Sequence, residues 1–184
     1  MRGTTGGHSV CKAHLTVARR SAHPIVASEA PAEEYRVKGA FLLNFAKFVE
    51  WPPQVFKKPG DPIVICILGV NPFTPALDLA AREITVDSRT AVVKQIPDAQ
   101  QAGQCQILFV SVSERKHVRA VLEAVQKESV LTVGESEGFV ASGGVIEFSV
   151  EDSKVRMEIS AEAAKRAGLR ISAKLLSLAQ SGRK

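Results

Sequence analysis

The run Ile63-Val64-Ile65-Cys66-Ile67-Leu68 limits the possible folds more than any other stretch of the chain. It has no polar residue and is rich in β-branched side chains, the composition of a strand covered on both faces. Ile107-Leu108-Phe109-Val110 and Val130-Leu131-Thr132-Val133 repeat the pattern in shorter form. Strands of this kind separated by helical stretches predict a parallel sheet with helices on its faces. The fold class is therefore α/β. A single domain is expected, with a mixed, mostly parallel sheet flanked by helices and followed by a C-terminal β-hairpin and further helices.

The stretch from Glu34 to Pro52 supplies the main cover. At about 100° per residue, Tyr35, Val37, Phe41, Leu42, Phe45, Phe48 and Val49 share one broad arc, with Arg36, Asn44, Lys47 and Glu50 opposite. An arc that wide belongs to a helix pressed on a core. Glu33 and Glu34 suit its N-terminal dipole, and Trp51-Pro52-Pro53 is expected to end it, since a residue before proline leaves the α region. Lys38 interrupts the apolar arc. Its stem is expected to lie along the core with the ammonium snorkelling outward; the alternatives are a buried ion pair or contact with a partner.

Between these elements the chain reads simply. Asn71 suits an N-cap and Pro72 a first helical position, predicting a helix to about Arg82. Short strands are expected over Glu83–Val86 and Thr90–Ile96, a helix or turn over Pro97–Gly103, and an amphipathic helix over Glu114–Lys127. After the glycine- and serine-rich loop Gly138–Gly144 the apolar period becomes two. Pairing Phe148 with Met157 keeps Ile146, Phe148 and Val150 on the same face as Val155, Met157 and Ile159, with Asp152-Ser153 at the turn. That register also sets Glu147 against Glu158, a mildly unfavourable like-charge pair. Relief is expected from Arg156 or solvent, or from a basic partner surface. Ser160 is expected to cap a helix stopped by Gly168, and Ser172 a last helix through Ala179.

Residues 1–30 lack periodicity and are expected to be a disordered extension or a degenerate leader, with the folded domain spanning 31–184. An apolar core of about 7–15 residues, which a secretory leader needs, is missing, although Val26-Ala27-Ser28 would pass as a cleavage site. His8, Cys11 and His14 have a metal-like spacing, but a three-ligand cluster in such a tail is read as chance. Arg2, Lys12, Arg19 and Arg20 against Glu29 account for most of the net charge of +5. Without them no basic stripe with interleaved aromatics is left, so nucleic-acid binding is not expected. No apolar run reaches the roughly 18 residues of a membrane span.

Chemistry-bearing residues are sparse. His117, the only histidine after His23, stands among charged neighbours and reads as a surface residue. Nucleophile-elbow, phosphate-loop, dinucleotide and H-E-x-x-H patterns are missing, so neither catalysis nor a cofactor is expected. If the three buried strands run parallel, their carboxyl ends gather Asn71, Ser111 and Ser113 at one edge, where such sheets bind anions or small ligands. The competing role of those residues is to cap the helices that follow. Cys66 and Cys105 are either a disulfide between neighbouring strands or two small core residues.

The segments EYRVKGAFLLNFAKFVEWPP, ICILGVNPF, CQILFVSVSE, VLTVGESEGFVASGGVIEF and VRMEISAEAAKRAGLRISAKLLSLA resemble, in order and spacing, the YfiR family of small exported proteins. The resemblance implies a periplasmic, non-catalytic α/β protein that represses a membrane-bound diguanylate cyclase by binding its periplasmic domain. It also implies possible capture by an outer-membrane lipoprotein, possible homodimers, and a structural disulfide at Cys66 and Cys105. A second, redox-active cysteine pair of the repressor type has no counterpart between Gly138 and Glu158. Lys38, Phe148, Glu158 and Ile159 are the expected partner contacts. The alternative function is a periplasmic small-ligand sensor using the strand-edge crevice.

Overall fold

A computed structural model of the chain describes residues 29–181 apart from Thr74. The expectations resting on His8, Cys11, His14 and Val26-Ala27-Ser28 lie outside the described residues. Glu29 and Ala30, expected to belong to the extension, begin the first helix.

In order, the elements are α1 (Glu29–Phe48), β1 (Val49–Glu50), β2 (Ile63–Leu68), α2 (Pro75–Glu83), β3 (Thr85–Val86), β4 (Arg89–Ile96), β5 (Ile107–Val110) and α3 (Val118–Ala124). They continue as β6 (Leu131–Gly134), β7 (Ile146–Glu151), β8 (Lys154–Ile159), α4 (Ala161–Arg166), β9 (Arg170–Ile171) and α5 (Ala173–Ser181). One sheet has the strand order β3-β4-β2-β5-β6-β7-β8. Strands β4, β2, β5, β6 and β7 run parallel, and the antiparallel pairs β3–β4 and β7–β8 close its two ends. The mixed, mostly parallel α/β fold with a C-terminal hairpin is the expected one.

The alternation of side chains along a strand sorts the continuous apolar runs into two cores. Ile63, Ile65 and Ile67 join Ile107, Phe109, Leu131 and Val133 on the first face, under α1, α2, α4 and α5. Val64, Cys66 and Leu68 join Leu108 and Val110 on the second face, under α3 and the 3₁₀ segment Ala99–Gln104. Neither cover is optional, because each strand presents branched aliphatic side chains on both sides. On the first face Phe45 and Phe148 stack at 6.0 Å, and Phe41 lies 6.0 Å from Phe148.

Local departures have local causes. Helix α1 ends at Phe48 rather than at Trp51, because Val49 and Glu50 pair antiparallel with Ile171 and Arg170. Helix α2 begins at Pro75, not Pro72: Asn71 Oδ1 accepts the Phe73 N–H at 2.9 Å, turning Phe73 into the core at 4.8 Å from Phe109. The helix expected over Glu114–Lys127 is a 3₁₀ turn, Val112–Glu114, followed by the shorter α3. His117 separates them, with a backbone at φ −108°, ψ 1° outside the helical range.

The hairpin keeps the expected register, with Phe148 opposite Met157 and Glu147 opposite Glu158. Asp152 and Ser153 both take positive φ, as the tight turn requires. Glu147 finds hydrogen-bond donors within the chain, in a segment other than the one carrying Arg156. Its carboxylate accepts the N–H groups of Gly138 (3.1 Å) and Val140 (3.0 Å) from the glycine-rich loop. The loop also seats Phe139, whose ring fills the space that a Cβ on Gly134 or Gly144 would need. At the opposite end of the sheet, Trp51 Nε1 donates to the Gln106 carbonyl at 3.0 Å, and Gln106 Oε1 accepts from Val64 N at 2.7 Å.

Candidate functional site

The carboxyl ends of β2, β5 and β6 lie side by side, so Gly69, Ser111 and Glu135 meet at one edge of the sheet. Gly69 has φ +88°, and Ser113 and Glu114 occupy the place of the Cβ it lacks. That close approach lets Ser113 Oγ accept the Val70 N–H at 2.9 Å. Ser111 Oγ caps the turn that follows β5 by accepting from Ser113 N. Asn71, Ser111 and Ser113 therefore hold backbone, and Ser111 and Ser113 also line an open cleft of about 530 Å³ with Tyr35, Val70, Pro72 and Val112.

Beneath this cleft is a charge cluster. The Glu135 side chain is 4% exposed; one oxygen accepts the Val112 N–H at 2.9 Å and the other the Lys38 ammonium at 2.7 Å. Lys38 also pairs with Glu34 at 2.5 Å, one turn back on α1, and lies 4.7 Å from the Tyr35 ring centre. Burial, and then the charge and hydrogen bond of Glu135, push the Tyr35 hydroxyl up to about 12, with Glu34 adding to the same effect. An ammonium held by two carboxylates needs no external counter-ion. The position that open α/β sheets offer to an anionic ligand is filled by the chain's own Glu135.

The expected contact residues divide by depth. Lys38 is 3% exposed and Phe148 2%, so neither presents a surface to a partner. Lys38 does not snorkel; its ion pair is internal, and Phe148 is core. On the hairpin, Glu158 is exposed and Ile159 half-buried. Glu135 escapes sequence reasoning because its partners lie far off, Lys38 being 97 residues away. The available signal was Lys38 itself: a cation on an apolar arc calls for a carboxylate at the edge its helix crosses.

Cys66 and Cys105 are joined as a disulfide across β2 and the start of β5, with Cα atoms 5.9 Å apart. His117 is exposed, with Nδ1 3.0 Å from Glu114. Among the described residues no cluster of three or more His, Cys, Asp or Glu is placed to hold a metal ion, and no helix is long and apolar enough to cross a membrane.

Comparison with protein-family models matches residues 35–180 to the family described as YfiR/HmsC-like. The curated proteins contain no match. Among solved structures, a conserved domain protein from Vibrio cholerae O1 biovar El Tor str. N16961 is similar at 11% identity and a TM-score of 0.47, over 64% of this chain. The chain spans about half of that protein's length, 53%.

Proposed function

The chain belongs to the YfiR/HmsC-like family, and from that premise we propose that it is a periplasmic, non-catalytic regulator that represses a membrane-bound diguanylate cyclase by binding the cyclase's periplasmic sensor domain. The family points to a periplasmic regulator of diguanylate cyclase signalling; repression and the partner are the further step. The family match, which runs through α1, the whole sheet and the last helix, carries the reading. The state of the sheet edge supports it against the small-ligand sensor. Asn71, Ser111, Ser113 and Glu135 are each engaged by backbone N–H groups or by Lys38.

Repression works by population shift. A regulator silences an enzyme only to the extent that it binds the inactive arrangement more tightly than the active one. A lipoprotein of the outer membrane would relieve repression by competing for the same molecule. On the hairpin, Glu158 and Ile159 remain candidate contacts.

The test mixes the purified full chain with the periplasmic domains of cyclases encoded near it and measures cyclic di-GMP in a deletion strain. Binding to one domain and a rise in cyclic di-GMP are expected. No binding and an unchanged cyclic di-GMP level would end the reading. Thermal stabilisation by a small molecule without any protein partner would turn it toward the sensor.

A further inference from the structure

Two branched aliphatic side chains stand in water at the carboxyl edge of the sheet. Val70 is 67% exposed and Val112 45%. Both are held there by their own backbone, Val70 N–H on the Ser113 hydroxyl and Val112 N–H on the buried Glu135 carboxylate. An apolar group that is exposed and fixed loses little conformational freedom on association, which favours binding. Arg115 and Lys116 line the same cleft and make no ion pair among the described residues.

The cleft does not end at the sheet. At Tyr35 and Pro72 it meets a second, apolar slot of about 440 Å³ between α1 and α2, lined by Gly39, Leu43, Phe73 and Leu77 among others. A track made of two joined clefts suits an extended protein segment better than one small molecule. A lipid surface is a poor match, because recognition of anionic membranes takes clusters of about four to eight cations. A second copy of the chain packed face to face would bring Arg115 and Lys116 against the same cations.

Building on the regulator reading, we propose that this track is the surface that grips the partner. The occupant is an acidic segment of the cyclase's periplasmic domain. Its apolar side chains lie over Val70 and Val112 and enter the α1–α2 slot, and its carboxylates face Arg115 and Lys116. The Lys38–Glu135–Tyr35 cluster acts beneath it as a positioning device, since Glu135 fixes Val112 and Tyr35 joins the two clefts.

The test measures affinity of full-length chains for the sensor domain that the wild-type chain binds, at low and high salt. The variants are Arg115→Glu/Lys116→Glu, Val70→Ser/Val112→Ser and, as a control at an exposed lysine before β2, Lys57→Glu. Each edge pair is expected to weaken binding about tenfold or more, the charge reversal also flattening the salt dependence, while Lys57→Glu stays close to wild type. Wild-type-like binding by both edge pairs overturns this proposal and leaves the regulator reading standing. If the wild-type chain binds none of the sensor domains, both fall. A photo-crosslinker at Val112 serves where an edge variant melts below the wild type. Attachment to an acidic segment of the sensor domain supports the proposal; attachment to a second copy, to lipid or to no protein overturns it.

Discussion

The two faces of the sheet are held by different means. The first carries α1, of 20 residues, and stacks Phe41, Phe45, Phe73, Phe109 and Phe148 against one another and the strands. The second has a 7-residue helix and a 3₁₀ segment, Phe139 as its one fully buried ring among the described residues, and the Cys66–Cys105 bond. Burial of large rings stabilises the first; a covalent cross-link compensates for thin cover on the second. A strand apolar on both sides thus needs two covers, and they need not be of equal weight.

The first way to break this comparison is Phe45→Ala. Phe45 is wholly buried, and its removal should lower stability by about 3–5 kcal/mol, measured by denaturant unfolding with the disulfide intact. The matching experiment on the second face is Cys66→Ala/Cys105→Ala. The bond closes a separation of 39 residues, so its loss should cost roughly 4 kcal/mol by the loop-entropy argument. If the double cysteine variant unfolds like the wild type, the second face is self-sufficient and the contrast is wrong.

A third change sharpens the comparison where α1 crosses the sheet edge. Lys38→Met leaves Glu135 buried without its cation, an effect of about 3 kcal/mol at the low end because Val112 N–H and Tyr35 still reach it. Adding Glu135→Gln to Lys38→Met should recover part of the loss, which the same unfolding measurement reads.

The smallest effect concerns the chain's single tyrosine. Ultraviolet titration of the folded protein should place Tyr35 near 12 rather than at the ordinary tyrosine value of 10.0. The sign follows from the proton count. Between those values the native state keeps a proton that the unfolded chain has released, so stability falls as pH rises through that window. Tyr35→Phe should make the fall shallower. A midpoint near the ordinary value would mean that Tyr35 is neither buried nor in contact with Glu135.

The strands and the hairpin were legible because their signals are local. Alternation alone placed Phe148 opposite Met157 and Glu147 opposite Glu158, and unbroken apolar runs located β2 and β5. What local pattern missed was decided by distant partners. Helix α1 ends early because Ile171 and Arg170 offer Val49 and Glu50 a ladder, and nothing near residue 49 announces that. Ser111 declares itself as a cap, but Asn71, which reads as one, instead turns Phe73 inward, and only the fold shows Ser113 reaching back to Val70. Lys38 was visible as an anomaly, whereas its carboxylate was not. Glu147 looked like half of a repulsive pair, and the loop amides that satisfy it follow from a turn no periodicity describes.

One bond at the far end of the sheet gives the molecule an optical reporter. Trp51 is the sole tryptophan, and its indole is anchored to the carbonyl of Gln106, the residue next to Cys105 in the chain. Its emission therefore arises from one known place, where α1 has just ended and β5 is about to begin. Loosening of that seam, by reductant or by partner, would bring the fluorophore into water and shift its colour without any label attached.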